Sequence, residues 1–451
     1  MRSTRTPARV LPLALAALLG PLATGCGSAS GADGSKTVTV TVGYQSKTIN
    51  TVTAGTLLRS LGYFEQELAA RGKKDGVTYK VDWQDYATGA PITAQMTAGK
   101  IDIGSMGDFP LLINAARGRE LKQPTRLVSV TGYNLRGGLN TVVAAPDSPL
   151  ESLSDLRGKK VSTSVGSAAD GTLVRALQRA GIDPASGIQK LNQQPSVGAS
   201  ALQAGSADAL SQFVAWPGQL AYEGKAKALY DGAELNVPTF HGVTVREKFA
   251  AQRAGVLDDF LRAQRKATDY LRTNPVAAAE SVAKETGLPA EVVYLYNGAS
   301  GIATFDPALR PELVAALKAD VPVLKDAKLV ADVDVDAFVD PAPLQRVATG
   351  QDYPVAAPAR AELWRRGQAR TESFDSPREL LKAAKGADVR AAYVPDAVTG
   401  TLWFADRAVW VAEGSDLRAF VTRAGATAYV DRHRESGARI VGFAEAGALA
   451  S

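Results

Sequence analysis

The sequence predicts an α/β protein built as two lobes, with a small α+β domain appended after them. Three observations carry this. Short β-branched or apolar runs alternate with helical segments from residue 37 to about residue 215, the pattern of sheets layered with helices. The alternation falls into two sets, 37–133 and 140–236, and residues 242–345 return to the first. After the turn-rich stretch 350–358 the character changes, and residues 361–447 read as strands with fewer helices.

Ahead of the first lobe, Arg2, Arg5 and Arg9 precede the apolar run 10–19, with no acidic residue before Asp33. A positive start and about ten apolar residues followed by small ones form a secretory signal, too short to span a bilayer. The run ends in Leu22-Ala23-Thr24-Gly25-Cys26, which resembles the bacterial lipobox, with Ala23 where leucine is usual. That resemblance implies that residues 1–25 are a lipoprotein signal peptide and that Cys26 is lipidated. Cys26 is the only cysteine, so no internal disulfide can form. Residues 26–36 are rich in Gly, Ser and Ala and suit a flexible tether. The expected location is the extracytoplasmic face of the cell membrane, with a soluble body held there by lipid. The chain has 51 basic and 46 acidic residues; the first 25 hold three of the arginines, leaving 48 against 46, a net of +2. Nucleic-acid binding calls for a clustered basic excess, so none is expected.

In the first lobe, residues 37–42 alternate β-branched side chains and read as a strand that runs into Gly43-Tyr44-Gln45-Ser46. A helical stretch follows over about 51–71, then a strand at 79–83 and a helix at 89–96. The short apolar strand 101–104 ends in Ser105-Met106-Gly107-Asp108-Phe109-Pro110, where Asp108 suits an N-cap and Pro110 a first helical turn. In the second lobe, 141–145 and 160–164 are strands, and Gly166-Ser167 leads into a helix through residue 180. Ser196 starts another helix, and strand 209–215 leads to Trp216-Pro217-Gly218. The strands are expected to be mostly parallel. The chain crosses between lobes near 133–140 and returns near 236–243. A long amphipathic helix covers 249–272, with shorter helices at 275–286, 289–296 and 311–319. In the appended domain a helix follows Asp375-Ser376-Pro377, strands cover 391–394, 402–411 and 439–443, and a helix covers 426–435.

Several strands end in a small-residue turn that also starts a helix: Gln45-Ser46, Met106-Gly107-Asp108, Gly166-Ser167 and Ser196. A helix start exposes unpaired backbone N–H groups and the positive end of the dipole, which suits an anion. In open α/β sheets such turns line the crevice beyond the strand ends. Two lobes offering them across a cleft describe a clamp that closes on a small solute. For any one turn ordinary helix capping suffices; the repetition carries the reading.

Gly43-Tyr44-Gln45, Leu61-Gly62-Tyr63-Phe64, Gly99-Lys100-Ile101-Asp102-Ile103-Gly104 with Gly107-Asp108, and Leu156-Arg157-Gly158-Lys159-Lys160-Val161 resemble the binding proteins of aliphatic-sulfonate, taurine and nitrate importers. Gly205-Ser206-Ala207-Asp208-Ala209 followed by Trp216 fits the same pattern, and the likeness covers about 37–343. The resemblance implies a type II periplasmic-binding fold, delivery of a small anionic solute to the permease of an ABC transporter, and no catalysis. It implies a monomer without cofactor or metal, with ligand against Gln45, Ser46, Met106, Gly107, Asp108, Gly166, Ser167 and Trp216. Backbone N–H groups and hydroxyls would hold an acidic group, and Trp216 would wall the cleft. Asp108 suits its helix better than an anion, and Arg136, near the crossing, is a candidate cation. Pro217-Gly218 stands where the sulfonate binders have an acidic residue and proline, which leaves the solute open.

Phe374-Asp375-Ser376, Trp403-Phe404-Ala405-Asp406-Arg407-Ala408 and Tyr429-Val430-Asp431 with Gly442-Phe443 resemble the NosL-type copper-binding accessory lipoproteins. That family uses cysteine and methionine, and this stretch has neither, with His433 its single histidine. A soft-metal site cannot be built from it. Two rival classes stay open: an enzyme, for which the chain offers only His241 and His433, and a surface sensor or interaction lipoprotein using the C-terminal domain.

Overall fold

Alternating valines and threonines make β1 (Lys36–Tyr44) a strand that buries one face: Val40 and Val42 are fully buried. The computed structural model describes residues 36–350, 353 and 358–451. The expected signal peptide, the expected lipidation site Cys26 and most of stretch 350–358 lie outside these. β2 (Val77–Asp85) pairs with β1 in parallel along its whole length, and β3 (Ile103–Gly107) pairs on the other side. After β4 (Thr125–Asn134) the chain crosses into a second sheet made of β5 (Asn140–Ala144), β6 (Lys160–Thr163), β7 (Gln189–Asn192), β8 (Ala209–Phe213) and β9 (Lys227–Asp231). It returns as β10 (Thr239–Arg246), inserted between β3 and β4, with β11 (Thr304–Phe305) at the edge. The strand orders are β11-β4-β10-β3-β1-β2 and β7-β6-β8-β5-β9.

The sheets are mixed rather than mostly parallel. β10 runs antiparallel to β3 and β4, and β5 runs antiparallel to β8 and β9. These are the strands on either side of the crossings. A strand that enters from the other lobe meets its sheet from the opposite end, which local sequence does not reveal.

The two crossing segments lie side by side. Asn134 Oδ1 accepts the N–H groups of Arg136, Gly137 and Gly138 at 2.9, 2.9 and 3.0 Å, and the Val237 N–H donates to the Arg136 carbonyl at 3.2 Å. Gly137 has φ +101°, and a Cβ there would lie 2.8 Å from the Val237 carbonyl oxygen. Only glycine fits so close an approach.

Some local expectations shift. Gly107, not Asp108, is the N-cap of helix Asp108–Glu120, and helix Pro195–Gln203 starts one residue before Ser196. Trp216 opens a helix, Trp216–Tyr222, because β8 stops at Phe213 and Pro217 suits the first turn.

The appended domain holds two small sheets. β12 (Ala361–Arg365), β13 (Glu372–Phe374), β14 (Val389–Pro395) and β15 (Leu402–Phe404) form one; β16 (Val409–Glu413), β17 (Asp416–Phe420) and β18 (Arg439–Val441) form the other. The run expected as one strand over 402–411 is thus divided between them. Leu363, Leu380, Val394 and Trp410 fill the domain's own core. Trp364, Tyr393, Trp403 and Phe404 instead join one apolar cluster with Tyr294, Tyr296, Val214 and Ala215 of the body. The structure seats this domain on the body. Among the described residues no helix is long and apolar enough to cross a membrane.

Candidate functional site

Helix Asp108–Glu120 of the first lobe and helix Ala168–Arg179 of the second meet by their N-terminal turns. A Cβ placed on Gly107 would lie 3.6 Å from Ala168 Cβ, and one placed on Gly166 would lie 3.1 Å from Ile113 Cδ1. The lobes are therefore closed on one another here.

The start of the second helix is built from short-range chemistry. Gly166 takes φ +81°, which a side chain would strain. Ser167 is the N-cap, its Oγ accepting the Asp170 N–H at 3.3 Å. Asp170 accepts the Gly166 N–H at 3.0 Å and pairs with Lys190 Nζ at 2.8 Å, so its charge is already matched. The N–H groups of Ala168 and Ala169 have no hydrogen-bond partner among the described residues. They are orphan donors at the positive end of a 12-residue helix.

The facing helix is different. Asp108 Oδ1 accepts the Phe109 N–H at 2.8 Å, and Oδ2 accepts the Phe240 N–H at 3.2 Å. Burial pushes the Asp108 carboxyl up to about 6, against the pull of those N–H groups and of Arg175. This helix start carries its own anion.

The other expected residues have varied surroundings. Gln45 Nε2 donates to the Ser105 carbonyl at 3.1 Å, and its Oε1 accepts from Thr48 Oγ1 at 3.4 Å, so its amide shapes the turn. Ser46 is committed to Asp85, through Oγ at 2.6 Å and its N–H at 2.8 Å. Met106 is fully buried and packs with Ile92, Met96 and Leu112. Trp216 is half-buried, and Lys47 Nζ stands 5.7 Å from its ring centroid. The Ala215 N–H donates to the Lys47 carbonyl at 3.3 Å, a second contact between lobes. Arg136 lines a groove of about 1000 Å³ between the crossing segments and the appended domain, and none of the eight expected ligand residues lines it.

Two features escaped sequence reasoning, and a third gains its surroundings only in the fold. Lys47 is one, placed over Trp216 by the fold. Another is a cross-lobe ion pair, in which Arg175 donates to Asp320 Oδ1 at 2.6 Å and to the Ala319 carbonyl at 2.8 Å. Burial and the Asp108 charge raise the Asp320 carboxyl above its usual range, and Arg175 opposes them. The third is His241, which faces Gly107 across the β10–β3 pair and is 3% exposed. Its Nδ1 lies 2.6 Å from Asn50 Nδ2, and burial lowers its pKa to about 3, so the ring is neutral. The other histidine, His433, stacks on Tyr429 in the appended domain with ring centroids 3.9 Å apart. Among the described residues, no cluster of three or more His, Cys, Asp or Glu side chains could hold a metal.

Residues 72–278 match the NMT1/THI5-like family. A protein of Escherichia coli (strain K12) named for binding aliphatic sulfonates is 30% identical over 220 residues, 48% of this chain and 66% of that protein. The taurine-binding periplasmic protein of the same organism is 27% identical over 206 residues, 45% of this chain and 60% of that protein. Over this part the chain is similar in sequence to the aliphatic-sulfonate- and taurine-binding proteins. It spans just under two thirds of the length of these two relatives. The alkanesulfonate-binding protein SsuA from Xanthomonas axonopodis pv. citri, solved bound to MOPS, superposes with TM-score 0.57 at 21% identity, covering 68% of this chain and 99% of that one. This likeness shows that the chain has the two-lobed fold of periplasmic binding proteins. The same fold occurs in the desulfurization enzyme DSZB, at TM-score 0.50 and 18% identity over 68% of this chain and 98% of that one. Fold alone therefore does not separate binding from catalysis.

Proposed function

We propose that this protein is a lipid-anchored extracytoplasmic receptor that captures a small oxyanion, of sulfonate or nitrate type, and delivers it to the permease of an ABC importer. The observation that carries the reading is the pair of N–H groups on Ala168 and Ala169, unpaired among the described residues, at a helix start that lies against Gly107 of the other lobe. Unpaired N–H donors at the positive end of a helix favour an anion with acceptor oxygens. Gly166 and Ser167 hold that end in shape, and the Ser167 hydroxyl hydrogen is a further donor. Gly107 of the first lobe lies against that helix start, and Lys47, over the Trp216 ring, adds a cation at the other contact between the lobes. The sulfonate- and taurine-binding relatives support the ligand class.

Binding is favoured over catalysis because the parts of a nucleophilic centre are not assembled. Among the described residues no serine, threonine or cysteine hydrogen-bonds to a histidine side chain: His241 pairs with Asn50, and Ser167 caps a helix. A thermal-shift series of the full chain with taurine, ethanesulfonate, nitrate and sulfate tests the reading. A ligand at one hundred times its Kd adds about 2.7 kcal/mol to the folded state, so one of these anions raises the melting midpoint by several degrees. No shift with any of them, in well-folded protein, would count against the receptor.

A further inference from the structure

We propose that His241 is a ligand-recognition residue: its Nε2–H donates to the captured anion, and Asn50 holds the ring in the tautomer that can do so. The proposal deepens the receptor reading and rests on it. Asn50 Nδ2 lies 2.6 Å from His241 Nδ1 and donates to the Gly132 carbonyl at 3.3 Å. Reversing the amide would set its oxygen against the Gly132 oxygen, so Nδ2 is the donor and Nδ1 the acceptor. The ring proton then sits on Nε2. Nε2 has no hydrogen-bond partner among the described residues and, unlike Asn50 Oδ1, is not fully enclosed, in a residue only 3% exposed.

The position of the free nitrogen says what it awaits. A Cβ on Gly107 would be 3.2 Å from Nε2 and 3.6 Å from Ala168 Cβ, so the imidazole edge and the helix start are neighbours across the lobe interface. The Ala168 and Ala169 N–H groups come from one lobe and the Nε2–H from the other. An oxyanion that accepts from both joins the lobes, which neither set of donors does alone. The donor is uncharged, because burial keeps the ring neutral. Recognition at this atom is thus for acceptor oxygens, and it discriminates against a ligand that presents only donors or methyl groups.

The chain has two histidines, so 15N-histidine labelling gives two resolvable imidazoles. Long-range 1H–15N correlation spectra of the full chain, recorded with and without taurine, ethanesulfonate and nitrate, would be paired with calorimetry on His241→Phe. The expected result is a neutral Nε2–H tautomer for His241 in the free protein and a shift of that Nε2–H on adding the anion that binds, with His433 unmoved. His241→Phe then binds about 10- to 100-fold more weakly, at a melting temperature within a few degrees of the parent. Binding heat with unmoved His241 signals, or a Nδ1–H tautomer, would overturn the proposal and leave the receptor standing. No binding heat in the parent protein would remove the receptor reading and this proposal together.

A separate set of contacts carries a second inference: the appended domain braces the two lobes in their closed arrangement. On the first lobe, Glu362 accepts from Tyr294 Oη at 2.6 Å and from the Ser300 N–H at 2.8 Å, and Arg390 pairs with Glu280 and Glu291 at 2.7 Å each. On the second lobe, Thr399 Oγ1 donates to the buried Asp231 at 2.8 Å, Arg423 meets Glu151 at 3.2 Å, and the Phe404 and Tyr222 rings lie 5.3 Å apart. One rigid unit fixed to both sides of a crossing resists their separation. The test is a Thr399→Val/Arg423→Glu/Tyr222→Ala variant of the full chain with spin labels on the two lobes. A broader, longer interlobe distance distribution than in the parent, with circular dichroism unchanged, is the expected result. An unchanged distribution in the folded variant would overturn the brace.

Discussion

Gly171 sits in the first turns of helix Ala168–Arg179, and a Cβ added to it would fall into the ring of Phe109, far inside van der Waals contact. The two residues belong to different lobes, so Gly171→Ala is a wedge between lobes rather than a defect within one. Within its own helix, alanine is the better residue by about 0.5–1 kcal/mol. Against the facing ring, overpacking of this kind costs about 1–3 kcal/mol. The two effects have opposite signs and act on different equilibria. Stability of the separate lobes stays level or rises slightly, while the closed state loses about five- to 150-fold in population. A ligand that needs the closed state loses the same factor in apparent affinity. Calorimetry gives the affinity, small-angle scattering the opening, and a melting curve the fold. Affinity unchanged within twofold, with scattering identical to the parent, would refute the reasoning, because Phe109 and Gly171 would then not face one another in the bound form.

Other outcomes follow from the same geometry. Arg175→Met strands the buried Asp320 carboxylate in the closed form only, so the protein opens and binds about tenfold more weakly, with little change in melting temperature; a large melting loss with scattering unchanged would contradict this. His241 has its pKa lowered from 6.5 to about 3, so the neutral ring of the folded state contributes stability above pH 6.5 that is lost as pH falls toward 3. Lowering the pH from 7 to 5 removes about 2 kcal/mol through this group, and the acid limb of a denaturation series flattens by that amount in His241→Phe. Cys26→Ser, expressed in a bacterium that lipidates such signals, is expected to release the protein from the membrane fraction; retention would count against the lipid anchor.

Much of the fold is legible in local pattern. Residues 37–42 alternate strictly, and strand β1 follows from that; Gly166-Ser167 followed by Ala-Ala-Asp announces a capped helix, and one forms. The direction of β10 is not legible, because it depends on the crossing of the chain between lobes rather than on Thr239–Arg246 themselves. Site residues divide in the same way. Ser167 and Gly166 act through neighbours in sequence, and a reader can find them. His241 gains its meaning from Asn50 and Gly107, and Gly171 from Phe109, all brought close only by folding. Lys47 follows Ser46 directly, yet nothing local says that it will stand over Trp216. In the appended domain, Glu362 and Tyr393 look like ordinary strand residues, and only their contacts with helix Ala290–Asn297 reveal a seat on the body.

The central claim is that an anion is held by backbone donors at the start of helix Ala168–Arg179. Proline is tolerated at the first helical position and has no N–H, so Ala168→Pro deletes one donor and keeps the helix. Calorimetric titration of the full chain and of this variant with taurine, ethanesulfonate and nitrate is the most direct measurement. The account predicts that at least one anion binds the parent and that the variant, folded by circular dichroism, binds it at least tenfold more weakly. Equal affinity in the two proteins would place the anion elsewhere and contradict the account.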